Sequence, residues 1–195
     1  MKLYETLPRG VTVDHKFYRM DFEFRNVLRM TEILQRDDLI DEAREYLALK
    51  CLMKHPKNVH AVLDAVRGLL FEQKPSQDSK KITSFVQDAP LIRAAFWQEY
   101  KINLYRDKLH WFEFIELFQN LPEGSRYSDV IGIRARPMPK PTKWNAEERQ
   151  WLLKAKASVA LKMTDKEQED KYNQDVENIF NVLMGMIKKD GGAVE

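Results

Sequence analysis

The side chains of this sequence with the widest chemistry are four histidines and one cysteine, which are His15, His55, His60, His110 and Cys51. His55 and His60 are five residues apart across a proline, and no carboxylate completes a metal-ligand set at helical spacing. His110 precedes a run of aromatic residues, where we expect it to bond a backbone carbonyl rather than act as a general base. Cys51 is expected to be a buried, inert thiol.

Paired carboxylates are the other candidates for chemistry. The pairs Asp37-Asp38, Glu147-Glu148 and Glu169-Asp170 lie in polar runs, without an apolar pocket to raise a carboxyl pKa. There is no G-x-S-x-G pattern and no glycine-rich phosphate loop. The sequence therefore predicts no catalytic residue, no metal site and no cofactor, and we expect a protein that is not an enzyme.

The overall charge is nearly balanced, with 32 Lys and Arg against 30 Asp and Glu in 195 residues. A net charge of +2 excludes a nucleic-acid coat that runs the whole length of the chain. A single cysteine allows no intrachain disulfide and fits a reducing compartment. Without a signal-peptide pattern or a run of 18 apolar residues, the sequence predicts a cytosolic protein with no membrane span.

Charge is divided sharply near the C-terminus. Residues 134–162 hold eight cations and two carboxylates, whereas residues 163–180 hold two cations and six carboxylates, giving +6 and −4. The basic segment also contains Trp144 and Trp151, a combination that can bind nucleic acid. We favour the other interpretation, in which the two segments attract one another or another copy of the chain, because the acidic run would repel phosphates.

The last predicted helix is unusually apolar for a chain end. It could offer a partner an adaptable, methionine-containing surface, or it could pack on its own domain, and the sequence favours neither alternative. Together with the basic segment it gives eight predicted partner-binding residues, namely Arg134, Arg136, Trp144, Trp151, Phe180, Leu183, Met184 and Ile187.

The elements that must position these residues are mostly helices. The predicted fold class is mainly α, a single helical domain of about seven to eight helices with a small N-terminal β-hairpin and a C-terminal helical extension. The hairpin is predicted where short β-favouring runs flank Asp14-His15. Apolar residues then recur with a period of about 3.6, and Asn58, Asp88 and Asn145 are predicted helix caps.

Proline and polar runs divide the chain. Three prolines in alternate positions between residues 136 and 141 exclude a helix there, so that stretch is predicted to be extended. We predict a core domain with its hairpin over residues 1–135, a proline-rich linker over 136–144 and a C-terminal helical segment over 145–190. The polar stretch 74–81 is predicted to be a loop.

Several blocks in a fixed order resemble the bacteriophage gene-product-fifteen family. They are Met20-Asp21-Phe22 after the hairpin, the aromatic run His110-Trp111-Phe112-x-Phe114, Leu121, and Ile133-Arg134. The similarity covers most of residues 11–160. The family has no catalytic residues to carry over, so the resemblance implies that the aromatic run is core.

The resemblance implies a tail assembly chaperone, encoded upstream of the tape measure gene in long-tailed phages. Such a protein binds the tape measure protein, keeps it soluble and helps recruit tail tube subunits. A second tail assembly chaperone and self-association are also expected, in the host cytoplasm rather than in the mature virion. The alternatives are a structural tail or virion component and, with less support, a nucleic-acid-binding phage protein.

Overall fold

The computed structural model describes residues 4–71 and 82–162, which form a two-stranded hairpin followed by seven helices. The elements are β1 Gly10–Val13, β2 Lys16–Arg19, α1 Phe24–Leu34, α2 Asp41–Lys50, α3 Val59–Leu70, α4 Ala89–Tyr100, α5 Trp111–Gln119, α6 Arg126–Ala135 and α7 Ala146–Ser158. The predicted mainly α fold with an N-terminal hairpin is confirmed. The predicted final helix, and the loop 74–81, lie outside the described residues.

The hairpin closes with a two-residue turn at Asp14 and His15. Both residues have positive φ angles, 50° and 60°, which is the conformation that the right-handed twist of a tight hairpin requires. The carboxylate of Asp14 accepts a hydrogen bond from the Asn58 side chain at 3.2 Å, so the turn is tied to the start of α3. Val11 and Tyr18 are buried, so one face of the hairpin packs on the core.

Three predicted caps use their side chains differently from the expectation. Asn58, Asp88 and Asn145 stand at helix N-termini, but none of their side chains caps its helix. Asn58 bonds Asp14, and Asp88 bonds an arginine of α6. Asn145 donates to the carbonyl of Lys140. The capping prediction was therefore wrong in mechanism, because groups outside the capped helices bond these side chains.

Aromatic rings form the centre of the core. The ring of Phe114 in α5 stacks on Phe24 of α1 with centroids 4.7 Å apart, and on Phe96 of α4 at 5.3 Å. Trp111 and Phe118 lie within 6.0 Å of the same ring. Because one side chain joins three helices, the aromatic run that the sequence predicted as core is core.

His110 fixes the start of α5. Its Nδ1 accepts from the backbone N–H of Phe112 at 3.3 Å, and its Nε2 lies 2.9 Å from the carbonyl oxygen of Pro8. The backbone N–H of His110 donates to Glu113 at 2.9 Å, completing a capping box. The neutral tautomer with hydrogen on Nε2 satisfies both contacts, so the predicted bond to a backbone carbonyl is present.

The hairpin turn at Asp14 and His15 offers a position where a substitution should stabilise the folded protein. An L-residue in the left-handed region costs about 1–2 kcal/mol, and glycine avoids that cost. His15→Gly should raise the free energy of unfolding by about 0.5–1 kcal/mol, after part of the gain is offset by the flexibility of glycine in the unfolded chain. Urea unfolding measures the change. His15→Ala is the control, since it removes the imidazole but keeps the Cβ, and equal stability of the two variants would contradict the account.

Candidate protein-binding groove

Arg134 makes a buried ion pair at the end of α6. Its Nη1 donates to Oδ2 of Asp88 at 2.7 Å and its Nη2 donates to Oδ1 at 2.8 Å. The side chains are 11% and 3% exposed, respectively. A two-pronged pair with this burial is directional, and it fixes α6 against the start of α4.

Arg134 makes further hydrogen bonds to two other segments of the chain. Its Nε donates to the carbonyl of Val159 after α7 at 2.6 Å, and its Nη1 also donates to the carbonyl of Ile82 at 3.0 Å. The ammonium of Lys156 donates to the carbonyl of Arg134 at 2.7 Å. Arg134, predicted from the sequence to bind a partner, is placed by the structure inside the domain, where it joins α4, α6 and α7.

The carboxyl of Asp88 is held in its charged form. Burial alone would raise its pKa. The hydrogen bonds that it accepts from Arg134 and from the backbone N–H of Ser84, together with the positive charge of the guanidinium, outweigh that effect. Its pKa is therefore lower than that of an ordinary aspartate. The pair is consequently ionic at neutral pH and contributes to the stability of the α4–α6 junction.

An open groove of about 660 Å³ lies between α6 and α7. Among its lining residues are Gly124, Asp129, Gly132 and Arg136 on one side and Trp151 and Leu152 on the other. Leu152 is buried and attaches α7 to the domain, whereas Trp151 is 56% exposed. The groove therefore has an exposed indole on one wall and a helix face with a glycine on the other.

Gly132 leaves room in this groove. A Cβ built at Gly132 meets no other described atom within 4 Å, apart from the adjoining backbone. A glycine inside a helix costs roughly 0.5–1 kcal/mol relative to alanine, and packing inside this domain does not require it. The absent side chain exposes the α6 backbone, so that another helix could approach closely.

Charges of both signs border the groove. Arg136 pairs with Glu148 of α7 across 3.5 Å, and both side chains are more than half exposed. Glu123 and Asp129 lie on the lining. Apolar and charged side chains thus share the groove, as they do in protein-binding surfaces.

The other predicted partner-binding residues are placed differently. Trp144 is 94% exposed just before α7, where the side chain of Asn145 bonds the backbone of Thr142 and Lys140 at 2.9 Å. Phe180, Leu183, Met184 and Ile187 lie outside the described residues. The structure therefore brings together Arg136 and Trp151 from the predicted set, whereas Trp144 is not among the residues that line the groove.

Two residues of this region were missed in the sequence. Asp88 was predicted only as a helix cap, and Gly132 was not singled out. A glycine at an exposed helix position was a usable signal, since helices disfavour it. The partner of Arg134 was not visible, because the pairing spans 46 residues and depends on how α4 and α6 meet.

His60 and Cys51, two further reactive side chains, have local surroundings that explain them. His60 lies 3.3 Å from Glu45 and 3.5 Å from Asp64 on the surface. Burial raises the pKa of the Cys51 thiol, partly offset by the charge of Arg29, so the reactive thiolate is disfavoured. Within residues 4–71 and 82–162, no three His, Cys, Asp or Glu side chains are placed to hold a metal ion.

The fold and groove together define a small, mainly α domain with an open cleft beside its last described helix. Within residues 4–71 and 82–162, no helix has the length and apolar character needed to cross a membrane. A family profile described as Bacteriophage Gp15 protein matches residues 3–161, so the chain belongs to this bacteriophage family. No curated protein and no solved structure matches the chain.

The buried Arg134–Asp88 pair predicts that replacing Arg134 costs much more stability than replacing Arg136. Arg134→Ala should lower the free energy of unfolding by about 3–5 kcal/mol, because it leaves the Asp88 carboxylate buried without its partner. Arg136→Ala is the matched control and should cost less than about 1 kcal/mol, since its pair with Glu148 is exposed. Denaturant unfolding measures both. Similar losses in the two variants would show that the buried pair has no special weight.

The pair also predicts a loss of stability in acid. Because folding lowers the pKa of Asp88, its contribution is fully present above the unfolded pKa of about 3.9, and falls as pH drops through the folded value. The difference in unfolding free energy between the wild type and Asp88→Asn should therefore be constant from pH 7 to 5 and shrink below about pH 4. A difference that stays constant down to pH 2 would contradict this assignment.

Proposed function

We propose that this phage protein is a tail assembly chaperone that binds the tape measure protein and keeps it soluble. In this proposal it also helps recruit tail tube subunits and acts in the host cytoplasm without entering the mature virion. It performs no catalysis and needs no cofactor. A second tail assembly chaperone is a further proposed partner.

The observation that carries the proposal is the open groove between α6 and α7. A tape measure chain that is long and helical exposes apolar stripes until the tube surrounds it. Such a stripe can lie in a groove where Trp151 supplies apolar area and Gly132 permits close approach. The exposed Arg136–Glu148 pair at the rim supplies charges of both signs for orientation.

Several cations of the basic segment form bonds within the domain, which supports a protein partner over nucleic acid. Arg134, Lys156 and Arg149 donate to groups inside the domain. Three of the eight cations in residues 134–162 are thus engaged, and fewer remain for phosphate contacts.

Many copies along one partner would strengthen weak individual contacts. A groove of this size holds a short length of helix, so each copy covers only part of a long chain. Repeated binding of one tape measure chain, together with self-association of neighbouring copies, gives avidity without a large single interface. Reversible coverage of this kind suits a chaperone that must leave when the tube closes.

Co-expression with the tape measure protein of the same phage tests the proposal. The tape measure protein should become soluble and co-purify with this protein. Mass spectrometry of purified particles should then find the tape measure protein but not this chain. Equal solubility of the tape measure protein alone would contradict the chaperone function, and presence of this chain in particles would favour a structural virion component.

Substitutions at the groove should separate binding from folding. Gly132→Phe and Trp151→Glu should reduce co-purified tape measure protein at least tenfold, because one fills the groove and the other removes its apolar wall. Gly132→Ala should be as stable as the wild type or more so, by up to about 1 kcal/mol, and should retain binding.

Ile40→Glu is the surface control, since Ile40 is an exposed apolar residue before α2, away from the groove lining. Thermal unfolding should give similar midpoints for all these variants, with that of Gly132→Ala equal to the wild type or higher. If the groove variants fold and still bind the tape measure protein as well as Ile40→Glu does, the groove is not the binding surface.

A further inference from the structure

We propose that the outer face of α4 is the docking surface for residues 163–180 of the same chain. The strip begins at Val86, in the turn before the helix, and continues through Pro90, Ala94 and Trp97, whose spacings of four and three place these three on one side of α4. Val86 and Trp97 are 64% and 57% exposed. This apolar strip lies on the opposite side of α4 from Ile92 and Phe96, which face the core.

A second shallow cavity widens the strip. A pocket of about 430 Å³ opens among Pro90, Arg93, Trp97 and Tyr105. The guanidinium of Arg93 lies over the ring of Tyr105, 4.6 Å from its centroid, while Tyr105 remains 70% exposed. Aromatic and cationic groups are thus presented together, as in surfaces that accept aromatic and acidic side chains.

The described chain ends at the beginning of this strip. The carbonyl of Lys162 accepts a hydrogen bond from the Gln87 side chain at 2.8 Å, and the N–H of Lys162 donates to the same side chain at 2.7 Å. Gln87 adjoins Val86, two residues before α4 begins. Residue 163 therefore starts within reach of the α4 face, without a long connection that would add an entropic cost.

The apolar pattern and the charge of the segment suit this face. The helix α4 is roughly 18 Å long and would hold about two-thirds of residues 163–180, which would span roughly 27 Å in the helix that the sequence predicts. That segment carries a net charge of −4, and Arg93, which lines the cavity with Trp97 and Tyr105, offers its carboxylates a cation on this face. Tyr172, Val176 and Ile179 give the segment an apolar face to set against Ala94 and Trp97.

Limited proteolysis of the full chain tests the docking. Trypsin should cut slowly after Lys166 and Lys171 in the wild type, because cleavage requires the segment to leave the α4 face. Trp97→Glu and Arg93→Glu should each speed these two cuts at least tenfold, by removing an apolar contact or reversing a charge. Mass spectrometry identifies the cut positions, and cleavage after Lys80 serves as the internal reference.

Leu153→Glu is the matched control, because Leu153 is an exposed apolar residue of α7 and lies in neither surface. It should leave the cuts after Lys166 and Lys171 unchanged, and circular dichroism should give the same helix content for all variants. Rapid wild-type cleavage, or acceleration by Leu153→Glu instead of the α4 variants, would overturn the proposal.

Concentration distinguishes docking within one chain from docking on a second copy. The slow cuts should have the same rate at 1 and 100 μM protein, since intramolecular docking does not depend on concentration. Protection that appears only at the higher concentration would assign the α4 face to self-association and overturn the proposal. The assay contains no tape measure protein, so its outcome is independent of the proposed chaperone function.

Discussion

The guanidinium of Arg134 is the contact on which the C-terminal half of the domain depends. It pairs with Asp88 at the start of α4 and bonds the carbonyl of Val159 after α7, and its own carbonyl accepts from Lys156. Leu152 is the buried residue of α7, so apolar packing alone gives that helix little hold on the domain. Polar contacts at Arg134 therefore help to set where α7 lies against α6, beside the groove between the two helices. The same junction brings Lys162 to Gln87, beside the outer face of α4.

The two halves of the domain differ in the balance of forces that stabilise them. Stacked rings around Phe114 hold α1, α4 and α5 together through dispersion and the burial of apolar area. In the other half, directional hydrogen bonds and an ion pair hold α7 and reinforce α6, which also buries Tyr127 and Val130. A rigid apolar core beside a more polar, more open C-terminal region suits a binding protein, because the core fixes the scaffold while the groove keeps exposed surface for a partner.

Much of the fold was predictable because it follows from local patterns. Apolar residues at a period of 3.6 marked the helices, and short β-favouring runs on either side of Asp14-His15 marked the hairpin. The side-chain roles of Asn58 and Asp88 were not predictable, because local capping competes with distant partners that only the fold supplies. The candidate site divides in the same way: exposed Trp151 and Arg136 were found from composition and charge, whereas the space beside Gly132 appeared only when α7 was placed against α6.

Hydrogen exchange of the full chain, alone and bound to the tape measure protein, tests the central claim most directly. The account predicts that binding slows exchange in residues 123–136 and 146–158, on both walls of the groove, while the hairpin and α2 are unchanged. Slowed exchange confined to the hairpin or to α2, with the groove unaffected, would contradict it.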